Sequence, residues 1–419
     1  MQNKTNLFWG LFAVALLSTT GLPAGVMPPV REFAGKTPLQ WSVRMADSQI
    51  ARLGNKLVWK DGGSAKWDYT AGLFTLSLLK LNEKVPDPRY VKFAENAIGS
   101  FISPDGKIQT YNRNEYQLDA LNPGKTALVL WELKLDHDGR YFNAVRNLAS
   151  QLESQPRTPD GGFWHKQRYT NQMWLDGIYM ASPFYAAHAN FLMDPNYAYN
   201  EVAKQIRLID QHTYDSKTGL NYHGWDAAKI QSWANPETGC SSNFWGRAIG
   251  WYGMALVDTL DFFPTNHPAR AGILATLQKL CAGVVKHQDP SSGLWWQVVD
   301  QGNRQGNYLE ATASAMFVYT LAKGVNKNYL PRAYVPAVLK GYQGIVEKLI
   351  KVDTNGQVNL TQCCQVAGLG SYGHARDGSF NYYVSEPIVE NDLKGVGPFI
   401  LAGIELQGLP GTGNELPAK

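Results

Sequence analysis

Apolar and polar positions along this chain alternate between two kinds of run. Tyr141, Ala144, Val145, Leu148, Ala149 and Leu152 recur at helical spacing with polar residues between them, which marks a helix with one buried face. Ile273, Leu274, Leu277, Leu280, Cys281, Val284 and Val285 repeat the pattern, and similar one-sided stretches cover about 39–53, 89–102, 197–211 and 332–350. Between them lie runs apolar on nearly every side and rich in Gly and Ala, at about 67–81, 122–135, 173–190, 246–262, 310–323 and 392–407. A helix that is apolar all round must be covered all round. The pattern therefore predicts six inner helices alternating with six outer ones.

A second periodicity supports this count. Links from an outer helix to the next inner one carry a small or polar residue, a Gly, and then a short extended segment: Asp105-Gly106-Lys107-Ile108, Asp160-Gly161-Gly162-Phe163, Thr218-Gly219-Leu220-Asn221, Ser292-Gly293-Leu294-Trp295 and Asn355-Gly356-Gln357-Val358. Such dipeptides mark turns, and self-similarity at this interval implies stacked two-helix units. Wholly buried inner helices fit a closed ring better than an open solenoid. The expected fold is all-α, a single (α/α)6 barrel over 25–419, with the N-terminal outer helix closing against the last inner one. The links that precede inner helices are long and share one rim, whereas turns such as Asp136-His137-Asp138-Gly139 are short. Long loops on one face of a rigid scaffold are where chemistry usually sits.

Composition narrows the class. Lys4 is the only charge in the first thirty residues, Leu7 to Leu17 is almost wholly apolar, and small residues follow at Thr19-Thr20-Gly21 and Ala24-Gly25. Residues 1–24 read as a signal peptide, so the protein is expected to be exported, to the periplasm or the medium. No stretch is long enough for a membrane span. The Cys residues (Cys240, Cys281, Cys363 and Cys364) have neither a disulfide framework nor metal-ligand spacing. A net charge of +4 without Lys/Arg blocks suits an acidic small ligand and gives no nucleic-acid signal. The 13 Trp and 21 Tyr supply flat faces of the kind that stack on sugar rings, beside their commoner use in cores.

The candidate chemistry gathers on the long-loop rim. Asp176 lies in Met173-Trp174-Leu175-Asp176-Gly177-Ile178-Tyr179-Met180, among large apolar side chains that disfavour its charged form and so suit a proton donor. Asp119 precedes the neighbouring inner helix, and two carboxylates on successive helix starts are what acid/base work on sugars requires. His165, His223, Trp174, Trp245, Arg247 and Trp251 share the rim as candidate substrate-binding residues. Arg247 offers a bidentate fork for a carboxylate, and the Trp residues offer ring walls. Each has a plain structural use: Asp119 as a helix cap, the His residues as satisfied core groups, Arg247 in an internal pair, Trp251 in the core. No His-x-x-x-His pair, phosphate loop or Gly-x-Ser-x-Gly is present, so neither a metal nor another cofactor is expected.

These residues resemble a known family. Tyr116-Gln117-Leu118-Asp119-Ala120-Leu121-Asn122-Pro123-Gly124-Lys125, Trp174-Leu175-Asp176-Gly177, and Trp245-Gly246-Arg247 through Gly250-Trp251-Tyr252 are similar to the unsaturated rhamnogalacturonyl hydrolases, family 105 of the glycoside hydrolases. So are Glu310 to Gly324, Gln365 to Gly370, Arg376 to Ser379, Tyr383 to Pro387 and Asn391 to Gly397, in order over about 65–405. The resemblance implies an (α/α)6 barrel and removal of a terminal 4,5-unsaturated uronic acid from lyase-generated oligosaccharides. It implies Asp176 as acid and then base, Asp119 as the second carboxylate, and no cofactor. The default partner is unsaturated galacturonyl-rhamnose, with glucuronyl open, acted on by a monomer. Departures at Asp300 to Asn307, at Ala248-Ile249 and at Leu369 to Ala375 leave the sugar preference open. The rival readings are an inverting barrel glycosidase on saturated substrates and a non-catalytic carbohydrate-binding helical-repeat protein.

Overall fold

A computed structural model describes residues 31–54, 65–371 and 375–409; the expected signal segment lies outside them. The chain order is α1 (Pro38–Leu53), α2 (Tyr69–Asn82), α3 (Pro88–Ala97), α4 (Pro123–Glu132), α5 (Arg140–Glu153), α6 (Leu175–His188), α7 (Pro195–Thr213), α8 (Gly246–Leu260), α9 (Arg270–Lys286), α10 (Ala311–Asn326), α11 (Val335–Gly344), α12 (Phe380–Ser385) and α13 (Leu393–Gln407). Helices α2, α4, α6, α8, α10 and α13 are buried on nearly all faces and pack in that order into a closed ring, α13 returning to α2. The outer layer is α1, α3, α5, α7, α9 and α11, and α1 lies against α13 where the ring closes. This is the (α/α)6 barrel that the alternation predicts.

The differences are local. The outer stretch at 332–350 is broken into a 3-10 turn, α11 and a π-helical turn at Ile345–Leu349. The stretch at 89–102 ends as a 3-10 turn, Gly99–Phe101. Inner helix α6 begins at Leu175 because Gln172–Trp174 is a strand, paired antiparallel with Gly224–Asp226. Helix α12, a single short turn in the last mouth loop, has no counterpart in the periodicity.

The five repeated turns share one geometry. Gly106, Gly161, Gly219, Gly293 and Gly356 have φ of +80°, +96°, +80°, +75° and +85°, a left-handed conformation that only Gly adopts without cost. In four of the links the turn folds the chain back on itself, with Ile102 bridged to Ile108, Arg157 to Phe163, Tyr214 to Asn221 and Val352 to Val358.

Successive mouth loops are then stitched together by backbone hydrogen bonds. Leu118 N donates to His165 O (3.1 Å) and Leu175 N to His223 O (3.0 Å), while His165 N donates within its own loop to Gln172 O (2.9 Å). Farther round, Gly246 N donates to Gln297 O (2.9 Å) and Ala311 N to Gln362 O (3.0 Å), and the last loop is bonded to itself by Gln365 N donating to Pro387 O (2.8 Å).

The ring closes tightly because glycines let inner helices meet at backbone distance. A Cβ on Gly72 of α2 would stand 2.6 Å from the Cα of Pro123 at the start of α4. Gly72→Ala is therefore expected to destabilise the protein by about 1–3 kcal/mol through overpacking against unyielding backbone. The change would be read as a fall in the denaturant midpoint at unchanged slope, and an unaltered midpoint would contradict the close approach.

Candidate active site

Two carboxylates stand at the starts of adjacent inner helices. Asp119 lies in a 3-10 turn, Leu118–Leu121, that leads into α4, and Asp176 lies in the first turn of α6. The Gln172–Trp174 strand sets the second position: Trp174 is in register with Gly224, which brings Asp176 beside His223.

The two groups have opposite surroundings. Asp119 is saturated. Lys166 Nζ lies 2.7 Å from Oδ2 and His165 Nε2 lies 3.3 Å from Oδ1. Burial alone would push this carboxyl up, but the adjacent Lys166 and His165 outweigh it and hold the group well below the usual carboxylate range. Asp119 is thus a fixed anion.

Asp176 keeps a free valence. His223 Nε2 comes within 3.2 Å of its Oδ2, close enough to interact electrostatically but off the line of a hydrogen bond, and neither atom has a hydrogen-bond partner. The other ring nitrogen of His223 is 2.8 Å from the Tyr383 hydroxyl. Burial pushes the Tyr383 phenol far above its ordinary value, so it stays protonated. It can donate to Nδ1 and leave the ring proton on Nε2, the nitrogen that faces Asp176.

Aromatic rings connect the pairs. Trp174 stacks on His165 (centroids 4.7 Å, planes at 14°) and on Tyr169 (4.6 Å, 24°), and meets His223 edge-on at 5.4 Å. Trp245 packs on the other side of His223 at 4.7 Å and lies parallel to Tyr383 at 5.8 Å. Trp174, Trp245, His165 and His223 are thereby brought together around the two carboxylates.

Arg247 and Trp251 are placed differently from the expectation of groups open to the mouth. Arg247 is only 2% exposed. Its guanidinium donates to the Cys364 carbonyl and lies over the Trp245 ring, 4.7 Å from the centroid. Glu310, wholly buried, accepts from the N–H of the same Cys364 at 2.9 Å. One arm of the fork is bonded to the chain, in keeping with the internal use the sequence also allowed. Trp251 stacks on Tyr179 (4.7 Å, 28°) and meets Tyr69 edge-on at 6.3 Å, as a core ring would.

Sequence reasoning passed over three residues in contact with this group. Lys166 adjoins His165 and had the signal of a cation on the same loop. Tyr383 stands in a segment recognised by resemblance but was given no role. Tyr169 carries no local signal, since only the fold of the 165–172 loop brings its ring onto Trp174.

Comparisons with known proteins identify the family of the chain. The model of Glycosyl Hydrolase Family 88 matches residues 41–409. A solved family 105 glycoside hydrolase from C. acetobutylicum ATCC 824 superposes with a TM-score of 0.83 at 41% identity, covering 88% of this chain and 99% of that one. A 24.9 kDa protein in the picA locus of Rhizobium radiobacter is 40% identical over 192 residues, 45% of this chain and 82% of its own length. Unsaturated rhamnogalacturonyl hydrolase YesR of Bacillus subtilis (strain 168) is 24% identical over 255 residues, 59% of this chain and 68% of its own. With the family model spanning the whole barrel, the chain belongs to the unsaturated uronyl hydrolases of glycoside hydrolase families 88 and 105.

Proposed function

We propose that the protein removes a terminal 4,5-unsaturated uronic acid, most simply a galacturonyl joined to rhamnose, from the oligosaccharides that lyases leave behind. The observation that carries the mechanism is the contrast between the two carboxylates: Asp119 neutralised by Lys166 and His165, Asp176 with an oxygen unpartnered beside His223. Similarity to YesR supports the rhamnose-linked substrate. The signal-like first 24 residues support export.

The chemistry follows from the substrate's vinyl ether. The C4=C5 double bond is conjugated to the ring oxygen, so protonation at C4 places positive charge on C5 and the ring oxygen. Asp176 delivers that proton and becomes a carboxylate. It then takes a proton from water as the water oxygen bonds to C5. The resulting hemiketal opens to a C5 ketone with the proton on the ring oxygen, and the hemiacetal left at C1 collapses to an aldehyde and expels the leaving sugar. Asp119 stays charged and opposes the positive charge that develops on the ring. Trp174 flanks the ring, and Trp245, only 1% exposed, backs His223 from behind. Arg247 acts through the chain, fixing the Cys364 peptide and the Trp245 face.

Hydration and ordinary glycosidic cleavage differ in where solvent atoms arrive. In ¹⁸O water the label is expected at C5, and in deuterated water one deuterium at C4, with products trapped by immediate borohydride reduction. The corresponding saturated uronide should be inert. Label at C1, no deuterium at C4 and turnover of the saturated compound would instead favour an inverting glycosidase.

Asp176→Asn keeps shape and removes the transferable proton. Turnover, followed as loss of the conjugated ultraviolet absorbance, is expected to fall by at least ~10²-fold at unchanged melting temperature. A variant retaining more than about a tenth of the parent rate would exclude the role.

Lys166→Met tests the fixed anion. A depressed carboxyl contributes fully above its ordinary value and loses that contribution only as pH falls through the depressed one. Without Lys166 the Asp119 carboxyl titrates higher, so the acidic limb of kcat/KM should move up in pH. An unmoved limb would mean that Asp119 does not govern it.

A further inference from the structure

Beside the catalytic groups, and apart from the main core, stands a small cluster of buried side chains: Tyr169, Trp174, Trp233 and Leu369. Trp174 belongs to the site already described. Trp233 comes from the loop between the Gly224–Asp226 strand and α8, and Leu369 from the loop before α12, so two mouth loops meet over the Trp174 ring.

The described parts of both loops are held by hydrogen bonds. The Asp226 carboxylate, wholly buried, accepts from the N–H groups of Ala228 (3.1 Å), Ile230 (2.8 Å) and Gln231 (3.0 Å). Asn235 Oδ1 accepts from Glu237 N and Thr238 N, and Trp225 Nε1 donates to Thr238 O. Across the gap, Ser242 Oγ and Asn243 Nδ2 both donate to Gly378 O, at 2.8 and 2.7 Å.

Within this well-bonded frame the Trp233 indole N–H is buried and has no acceptor. Leaving such a donor unsatisfied costs on the order of 1–3 kcal/mol, and nothing in the loop's own bonding requires it. The residue opposite it is Gly370, with φ of +85°. A Cβ there would lie 4.0 Å from Trp233 Nε1 and within 4 Å of nothing else described. Among the described residues, the orphan donor thus faces Gly370, which carries no side chain.

We infer that Trp233 is a specificity-determining residue whose indole N–H donates to a hydroxyl of the leaving sugar. This rests on the activity proposed above. An enzyme that takes a terminal uronyl group seats that sugar against the carboxylates, and the remainder of the oligosaccharide points outward past the mouth loops. Trp233 packs in one cluster with the Trp174 ring, and on this inference it sits against the part of the substrate that leaves. A hydroxyl-rich sugar supplies the acceptor that the protein withholds, and an unpaired buried donor discriminates well because an analogue lacking the acceptor leaves it unpaired.

The test is Trp233→Phe, which keeps a ring in the cluster and removes the N–H. Two substrates are compared by loss of ultraviolet absorbance: an unsaturated galacturonyl-rhamnose disaccharide and the methyl glycoside of the same unsaturated uronic acid, which has no leaving sugar. The variant is expected to lose roughly two- to ten-fold in kcat/KM on the disaccharide, the worth of one hydrogen bond and carried in KM, with the methyl glycoside unaffected and the melting temperature held. Equal losses on both substrates would make Trp233 a packing residue, and no loss on either would remove it from recognition; both overturn the inference. A parent protein that clears neither substrate would overturn the proposed activity itself, and this inference with it.

Discussion

Covering six helices on every side is the constraint from which the rest of the structure follows. In a barrel whose inner helices are apolar on nearly all sides, polar side chains within the walls are few, and the residues proposed for the chemistry sit on the loops at one end. Those loops are long, and loops of that length would ordinarily be mobile. Here, among the described residues, neighbouring links are bonded backbone to backbone, Leu118 to His165 and Leu175 to His223, and again at Gly246 and Ala311. The belt lets side chains from separate links hold fixed positions at the mouth, much as residues on a sheet would.

The fold was legible because its two periodicities are independent and agree. Helical spacing separated one-sided from all-round runs, and the repeated Gly turn marked the links between them. Interruptions such as the π-helical turn after Gly344 were not legible, since they arise from how the outer helix settles on its neighbours. The strand Gln172–Trp174 was hidden for a related reason: its partner, Gly224–Asp226, lies about fifty residues on, and pairing at that distance leaves no mark in a local window.

The site was partly legible. Asp119, Asp176, His165, His223, Trp174 and Trp245 share a rim, and position in the repeat was enough to place them there. What position could not give was partnership. Arg247 is one turn from Trp251 and looks equally available in sequence, yet its fork is engaged by the Cys364 carbonyl, more than a hundred residues away. Lys166 looked like an ordinary loop cation until the fold set it 2.7 Å from Asp119. Which polar groups are satisfied and which are left over is decided by long-range contacts.

That division of partners also explains why two carboxylates so near in the repeat need not compete for one proton. Bare carboxylates sharing a site raise one another's pKa, and the site then titrates as a pair. Here one of the two is removed from the competition by its own cation: Lys166 and His165 compensate the charge of Asp119 and leave it ionised. The proton transfer proposed here then falls to Asp176, which has an oxygen without a hydrogen bond and, beside it, a histidine bonded to Tyr383. Separate environments for like groups are what the proposed mechanism, one residue acting first as acid and then as base, requires.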